Sequence, residues 1–158
     1  MKKLFFIAAL FVLAVSSTCF AQDSATQSQT PQLLSLYYNI KDALVTGNAS
    51  VASAKAQDFV NAANGGDNKS LPANSITDLI KDASGIAGTK DITHQREYFA
   101  GLSSSMSAVI KAVKLTDQPV YQVYCPMKKT YWLNSDKTIR NPYFGSAMLT
   151  CGKVTATL

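Results

Sequence analysis

The stretch Asp91-Ile92-Thr93-His94-Gln95-Arg96-Glu97-Tyr98-Phe99-Ala100-Gly101-Leu102-Ser103-Ser104-Ser105-Met106-Ser107-Ala108-Val109-Ile110-Lys111-Ala112-Val113 decides the fold. Its apolar residues Ile92, Phe99, Leu102, Met106, Val109, Ile110 and Val113 recur at helical steps and gather on one face. Asp91 stands where an N-cap belongs. The spacing predicts a helix over 92–113, with Met106 in the core and Ser103-Ser104-Ser105 on the helix surface. An apolar stripe of that length needs other helices to cover it.

Three more are written upstream. Leu33, Leu36, Tyr37, Ile40 and Leu44 mark a helix from residue 32, with Gly47 as its C′ stop. Ala52, Ala56, Phe59, Val60 and Ala63 mark a second over 49–63, whose thin alanine face requires a close neighbour. Asn64-Gly65-Gly66-Asp67-Asn68 ends it with turn-forming residues. Ile76, Leu79, Ile80 and Ala83 mark a third over 75–86, frayed by Gly85 and Gly88. After Pro119 the period changes. Val120, Tyr121, Val123 and Tyr124 suit a strand, as do Tyr131-Trp132-Leu133 and the stretch 148–155, which contains Gly152. The expected class is α+β, mostly α: an up-and-down four-helix bundle over 32–113 with a small C-terminal β-containing cap over 119–158.

Residues 1–21 read as a signal peptide. Lys2 and Lys3 precede a short apolar run, and the cut is expected after Ala21. Ser16, three positions before Cys19, departs from the large aliphatic residue of a lipoprotein signal. The chain is therefore expected in the periplasm or secreted, without membrane insertion after cleavage. Residues 22–31 are polar and expected to be a disordered leader, which leaves 32–158 as a single domain. From residue 22 onward, thirteen basic residues stand against ten acidic ones, a net charge of +3. They are scattered along the chain, and Lys128-Lys129 is the only adjacent basic pair. No basic stripe is interleaved with aromatics, so no nucleic-acid partner is expected.

Once the signal is removed, Cys125 and Cys151 are the remaining cysteines, each accompanied by a methionine: Cys125-Pro126-Met127 and Met148-Leu149-Thr150-Cys151. Thiolate and thioether together are the soft donor set that selects Cu(I). Two cysteines in an oxidising compartment equally suit a disulfide, which would close a loop worth ~3.5 kcal/mol in the chain-entropy picture. If 125–127 is extended, the Cys125 and Met127 sulfurs share a face. His94, the one histidine, sits in the first turn of the long helix as an outside candidate ligand. The spacing leaves metal, disulfide and buried free thiols all open.

Tyr124-Cys125-Pro126-Met127, Tyr131-Trp132-Leu133, Ile139-Arg140-Asn141-Pro142-Tyr143-Phe144-Gly145 and Met148-Leu149-Thr150-Cys151-Gly152 resemble a domain family of unknown function. That family occurs in exported bacterial proteins, alone or appended to copper/silver efflux adaptors. The helical half resembles it through Leu36-Tyr37-Tyr38-Asn39-Ile40-Lys41-Asp42-Ala43-Leu44 and Asp91–Phe99. The resemblance implies the stand-alone form and a soft metal ion as ligand, with a metal efflux adaptor as the partner.

Catalysis finds no constellation. A single histidine, no acidic pair, no phosphate-cradling glycine loop and no HExxH argue against an enzyme. The reading is a periplasmic Cu(I)/Ag(I)-binding protein that buffers the metal or delivers it to an efflux system. Cys125, Met127, Met148 and Cys151 would be its ligands and Cu(I) its bound ion. The alternative is a protein-interaction module stapled by a Cys125–Cys151 disulfide.

Overall fold

Among the described residues four helices follow one another, and each packs chiefly on its neighbours in sequence, the order an up-and-down bundle requires. They are α1 (Gln29–Val45), α2 (Ala49–Gly65), α3 (Ser75–Ala87) and α4 (Ile92–Ala112). The computed structural model describes residues 29–66, 71–72, 74–113 and 116–158. The expected signal peptide and most of the expected leader lie outside the described residues. α1 begins at Gln29, three residues before the expected start. Pro31 falls within its first turn, where a missing N–H leaves no intrahelical bond unmade.

Local chemistry explains the short links. Gly47 at φ +73° ends α1, with Asn48 N–H donating to Ala43 O at 3.0 Å and Gly47 N–H to Leu44 O at 3.2 Å, a Schellman closure. Asn48 then caps α2, its Oδ1 accepting the Val51 N–H at 3.0 Å. Asp91 caps α4 as expected, accepting the N–H groups of Thr93 at 2.7 Å and His94 at 3.2 Å. Those bonds hold the Asp91 carboxyl below the usual carboxylate range. α3 and α4 approach closely because Gly85 lies under the Tyr98 ring and Gly101 under the Asp82 carboxylate.

The C-terminal residues form an antiparallel sheet of β1 (Tyr121–Cys125), β2 (Thr130–Asn134) and β3 (Lys153–Thr157), in the order β2-β1-β3. Val123 pairs with both Trp132 and Val154. The third strand starts later than expected, at Lys153 rather than 148. Gly145–Met148 forms a 3-10 turn instead, and Cys151 N–H donates to Met148 O at 3.0 Å to close a second turn. Gly152 lies just outside the strand, where Trp132 occupies the space a side chain would need. A Cβ there would sit 2.5 Å from Trp132 Cη2.

Bundle and cap share one core. The Tyr37 hydroxyl pairs with Ser103 Oγ at 2.7 Å and accepts the Leu133 N–H at 3.0 Å, tying α1, α4 and β2 together. Ser103 was expected on the helix surface. It is buried, because the buried Tyr37 hydroxyl needs a polar partner on α4. Met106 is buried in the core, as expected. Lys41 is also buried, its ammonium donating to Asn134 Oδ1 at 2.6 Å and pairing with Asp42 at 3.0 Å.

Candidate metal centre

Cys125 ends β1 and points into the face of the sheet that also holds Val123 and Trp132. The chain between Ile139 and Gly152 covers this face, with Tyr143 packed edge-on against Trp132 and its hydroxyl donating to Tyr131 O at 2.6 Å. Tyr143 thus anchors its loop to the core, and burial raises its phenol pKa. Trp132 is the fully buried anchor of the cap. Its Nε1 has no hydrogen-bond partner among the described residues.

At the centre lies Asn141, fully buried. Its side-chain amide donates to Cys151 O at 2.6 Å and to Cys125 Sγ at 3.3 Å. Its Oδ1 accepts the N–H groups of Tyr143 at 2.8 Å and Phe144 at 3.3 Å. The backbone continues the pattern, with Asn141 N–H donating to Leu149 O at 2.8 Å and Gly145 N–H to Asn141 O at 2.9 Å. One carboxamide therefore contacts the Cys125 thiol and the Cys151 backbone together. Cys125 Sγ also accepts the Lys128 N–H at 3.4 Å. Both thiols are free, Cys125 buried and Cys151 half-buried.

Asn141 shapes the turn, and it is also the bridge between the two sulfur clusters. Only the pairing of sheet and loop reveals that second role. Arg96, on α4, fastens the same loop to the bundle, donating from Nε to Pro142 O at 2.9 Å and from Nη2 to Leu44 O at 3.1 Å. Burial pushes its guanidinium pKa down. Gly145, at φ +55°, lets the loop pass close to that guanidinium.

The methionines stand outside this centre. β1 stops at Cys125 and residues 126–129 turn, with Lys129 N–H donating to Cys125 O at 2.8 Å. The extended geometry that would place Cys125 and Met127 on one face is therefore absent, and Met127 is 60% exposed. Met148, in the 3-10 turn, is 37% exposed. Both come from segments that Asn141 holds, so they rim the cysteine centre rather than line it.

His94 lies elsewhere. Arg96, Phe99 and Ser107 of α4 reach the cap, and His94 is roughly 200° around the helix from Arg96. It is exposed and lines an open cleft of about 710 Å³ between α3 and α4, with Asp82, Gly85, Glu97 and Tyr98. Among the described residues, no three His, Cys, Asp or Glu side chains converge as a ligand set. What the geometry offers chemically is one buried thiol on a buried amide, a half-buried thiol on the residue whose carbonyl that amide also holds, and two exposed thioethers on neighbouring segments.

The helical half carries the kinship of the chain. A family model described as a protein of unknown function matches residues 33–118, more than half of the chain. The chain belongs to the DUF3347 family. The DUF3347 match begins at the first buried leucine of α1 and ends before β1, so Cys125, Asn141 and Cys151 lie beyond it. No curated protein and no solved structure matches the chain.

Proposed function

We propose that this DUF3347 protein binds one soft monovalent metal ion, Cu(I) or Ag(I), between Cys125 and Cys151. The observation that carries the reading is the Asn141 carboxamide, which contacts Cys125 Sγ and Cys151 O together and so holds two residues with free thiols on one side chain. Two thiolates satisfy the softness that selects Cu(I). An N–H donor on a ligand sulfur is the outer contact that orients a metal ligand and tunes its basicity. Met127 and Met148, being exposed, are free to swing inward as neutral donors. His94 stays outside the set, because its face of α4 turns away from the cap.

The N-terminal signal-like sequence supports a periplasmic place for this binding. The resemblance to domains appended to copper/silver efflux adaptors supports buffering or delivery of the ion to an exporter. A second reading is an interaction module in which Cys125 and Cys151 form a structural disulfide. The burial of Cys125 favours it, since a buried thiol beside a second cysteine is protected once oxidised.

One experiment separates the two. Reduced protein, kept anaerobic, is titrated with Cu(I) against a chromophoric chelator, and native thiols are counted in parallel. The metal reading expects about one Cu(I) per chain and loss of binding in Cys125→Ser. It fails if reduced protein leaves all copper on the chelator. A native thiol count of zero with unchanged stability towards copper selects the stapled module.

A further inference from the structure

The end of the sheet that carries the cysteines is both basic and apolar. Cys125 and Thr130 are the last paired residues of the β1–β2 hairpin, so Met127, Lys128 and Lys129 form its tip. Lys153 pairs with Tyr124 and opens β3 at the same end. Asn141 brings Leu149 there through its N–H bond to Leu149 O, and brings Cys151 through its side chain. Three lysines and three apolar side chains thus share one rim. Pro126–Lys129, Ser146–Thr150 and Lys153 are all exposed, with Met127 at 60%, Met148 at 37% and Leu149 at 41%.

Charge separates along the chain in the same sense. Residues 32–118 hold eight basic and eight acidic residues, whereas 119–158 hold five basic and one acidic. That acid, Asp136, follows β2 at the opposite end of the hairpin, where Asn134 pairs with Tyr121. Its carboxylate is engaged by the Thr138 N–H at 2.6 Å. None of the three rim lysines forms an ion pair among the described residues. Basic residues that look scattered in the sequence are concentrated by the fold.

We propose that this rim is a docking surface for an anionic lipid membrane, which it binds peripherally. The charge is complementary to acidic headgroups, and each lysine held near such a surface strengthens binding about fivefold. Met127 and Leu149 supply side chains that enter the headgroup boundary. The shape agrees. A convex hairpin tip and a 3-10 corner meet a yielding lipid surface directly, whereas a protein partner would need a matching hollow. No described helix is long and apolar enough to cross a membrane.

The proposal does not depend on copper and is tested without it. The chain from Gln22 to Leu158 is sedimented with vesicles of three parts phosphatidylcholine to one part phosphatidylglycerol. It should partition onto them, stay in solution with pure phosphatidylcholine, and be released by high salt. K128E/K153E should weaken partition at least tenfold, and L149S should weaken it several-fold at constant charge. All three substitutions are at exposed positions, and unchanged far-ultraviolet circular dichroism confirms the fold. Absence of partition onto anionic vesicles overturns the proposal, as does partition indifferent to K128E/K153E. Retention on immobilised poly-glutamate without vesicle binding also overturns it, and assigns the rim to an acidic protein surface instead.

Discussion

Replacing Asn141 with alanine tests whether one carboxamide organises the cap. The substitution deletes four side-chain hydrogen bonds: to Cys151 O, to Cys125 Sγ, and from the N–H groups of Tyr143 and Phe144. A typical intramolecular bond contributes about 1 kcal/mol net, and the N–H···S bond contributes less. The Tyr143 N–H is buried and cannot turn to water, so part of its desolvation cost is added. Together these place the loss at about 3 kcal/mol, a large share of a small domain's stability. Asn141→Asp keeps Oδ1 as acceptor for Tyr143 and Phe144 but loses both donors. It should lose roughly half as much through hydrogen bonds, plus the cost of burying a carboxylate. The assay is urea unfolding followed two ways, by Trp132 fluorescence for the cap and by far-ultraviolet circular dichroism for the helices. Trp132 is the single tryptophan, so its signal reports the cap alone. In the alanine variant both midpoints should fall together, since cap and bundle share one core. A shift below about 0.5 kcal/mol in both signals would show that the amide is incidental and would refute the reasoning.

Three further outcomes follow from the same packing. Gly152→Ala places a Cβ against Trp132, Ile139 and Val123 and should cost about 1–3 kcal/mol, read as a lowered thermal midpoint. Met127→Leu with Met148→Leu should change stability by less than about 0.5 kcal/mol, since both side chains are exposed, while lowering Cu(I) affinity in a chelator competition. Burial raises the phenol pKa values of Tyr37, Tyr143 and Tyr38, the last to about 12. Unfolded tyrosines ionise near pH ~10, so the folded state holds more protons above that point. Stability should therefore be full below pH ~10 and fall as pH rises toward 12, with urea midpoints at mildly and strongly alkaline pH giving the slope.

The helices were legible because each writes its own period. The face Ala52, Ala56, Phe59, Val60 and Ala63 is buried as its spacing implies, and Gly47, Asn48 and Asp91 end or begin helices where their chemistry says. Local signals of this kind need no knowledge of neighbours. The errors fall where a neighbour decides. Ser103 is buried because Tyr37 needs its hydroxyl, and residues 148–151 turn rather than extend, with the Leu149 and Cys151 carbonyls held by Asn141. The candidate site shows the same division. Two cysteines and two methionines can be read from the sequence, but which sulfurs face inward depends on where β1 stops. The role of Asn141 and the gathering of Lys128, Lys129 and Lys153 depend on strand register, which residue types alone do not specify.

Arg96 links α1, α4 and the cap loop through two carbonyls, and this matters for where the protein can be cut. The family match ends at Gln118, yet that border of kinship is not a border of folding. A fragment ending there would leave Lys41 without Asn134, the Tyr37 hydroxyl without the Leu133 N–H, and the Arg96 guanidinium without Pro142. Phe99 would lose its contact with Tyr143. The segment that defines the family is therefore the larger part of one cooperative unit. Grafting it onto another protein would carry an unfinished surface unless the cap, with its sulfur atoms, travelled with it.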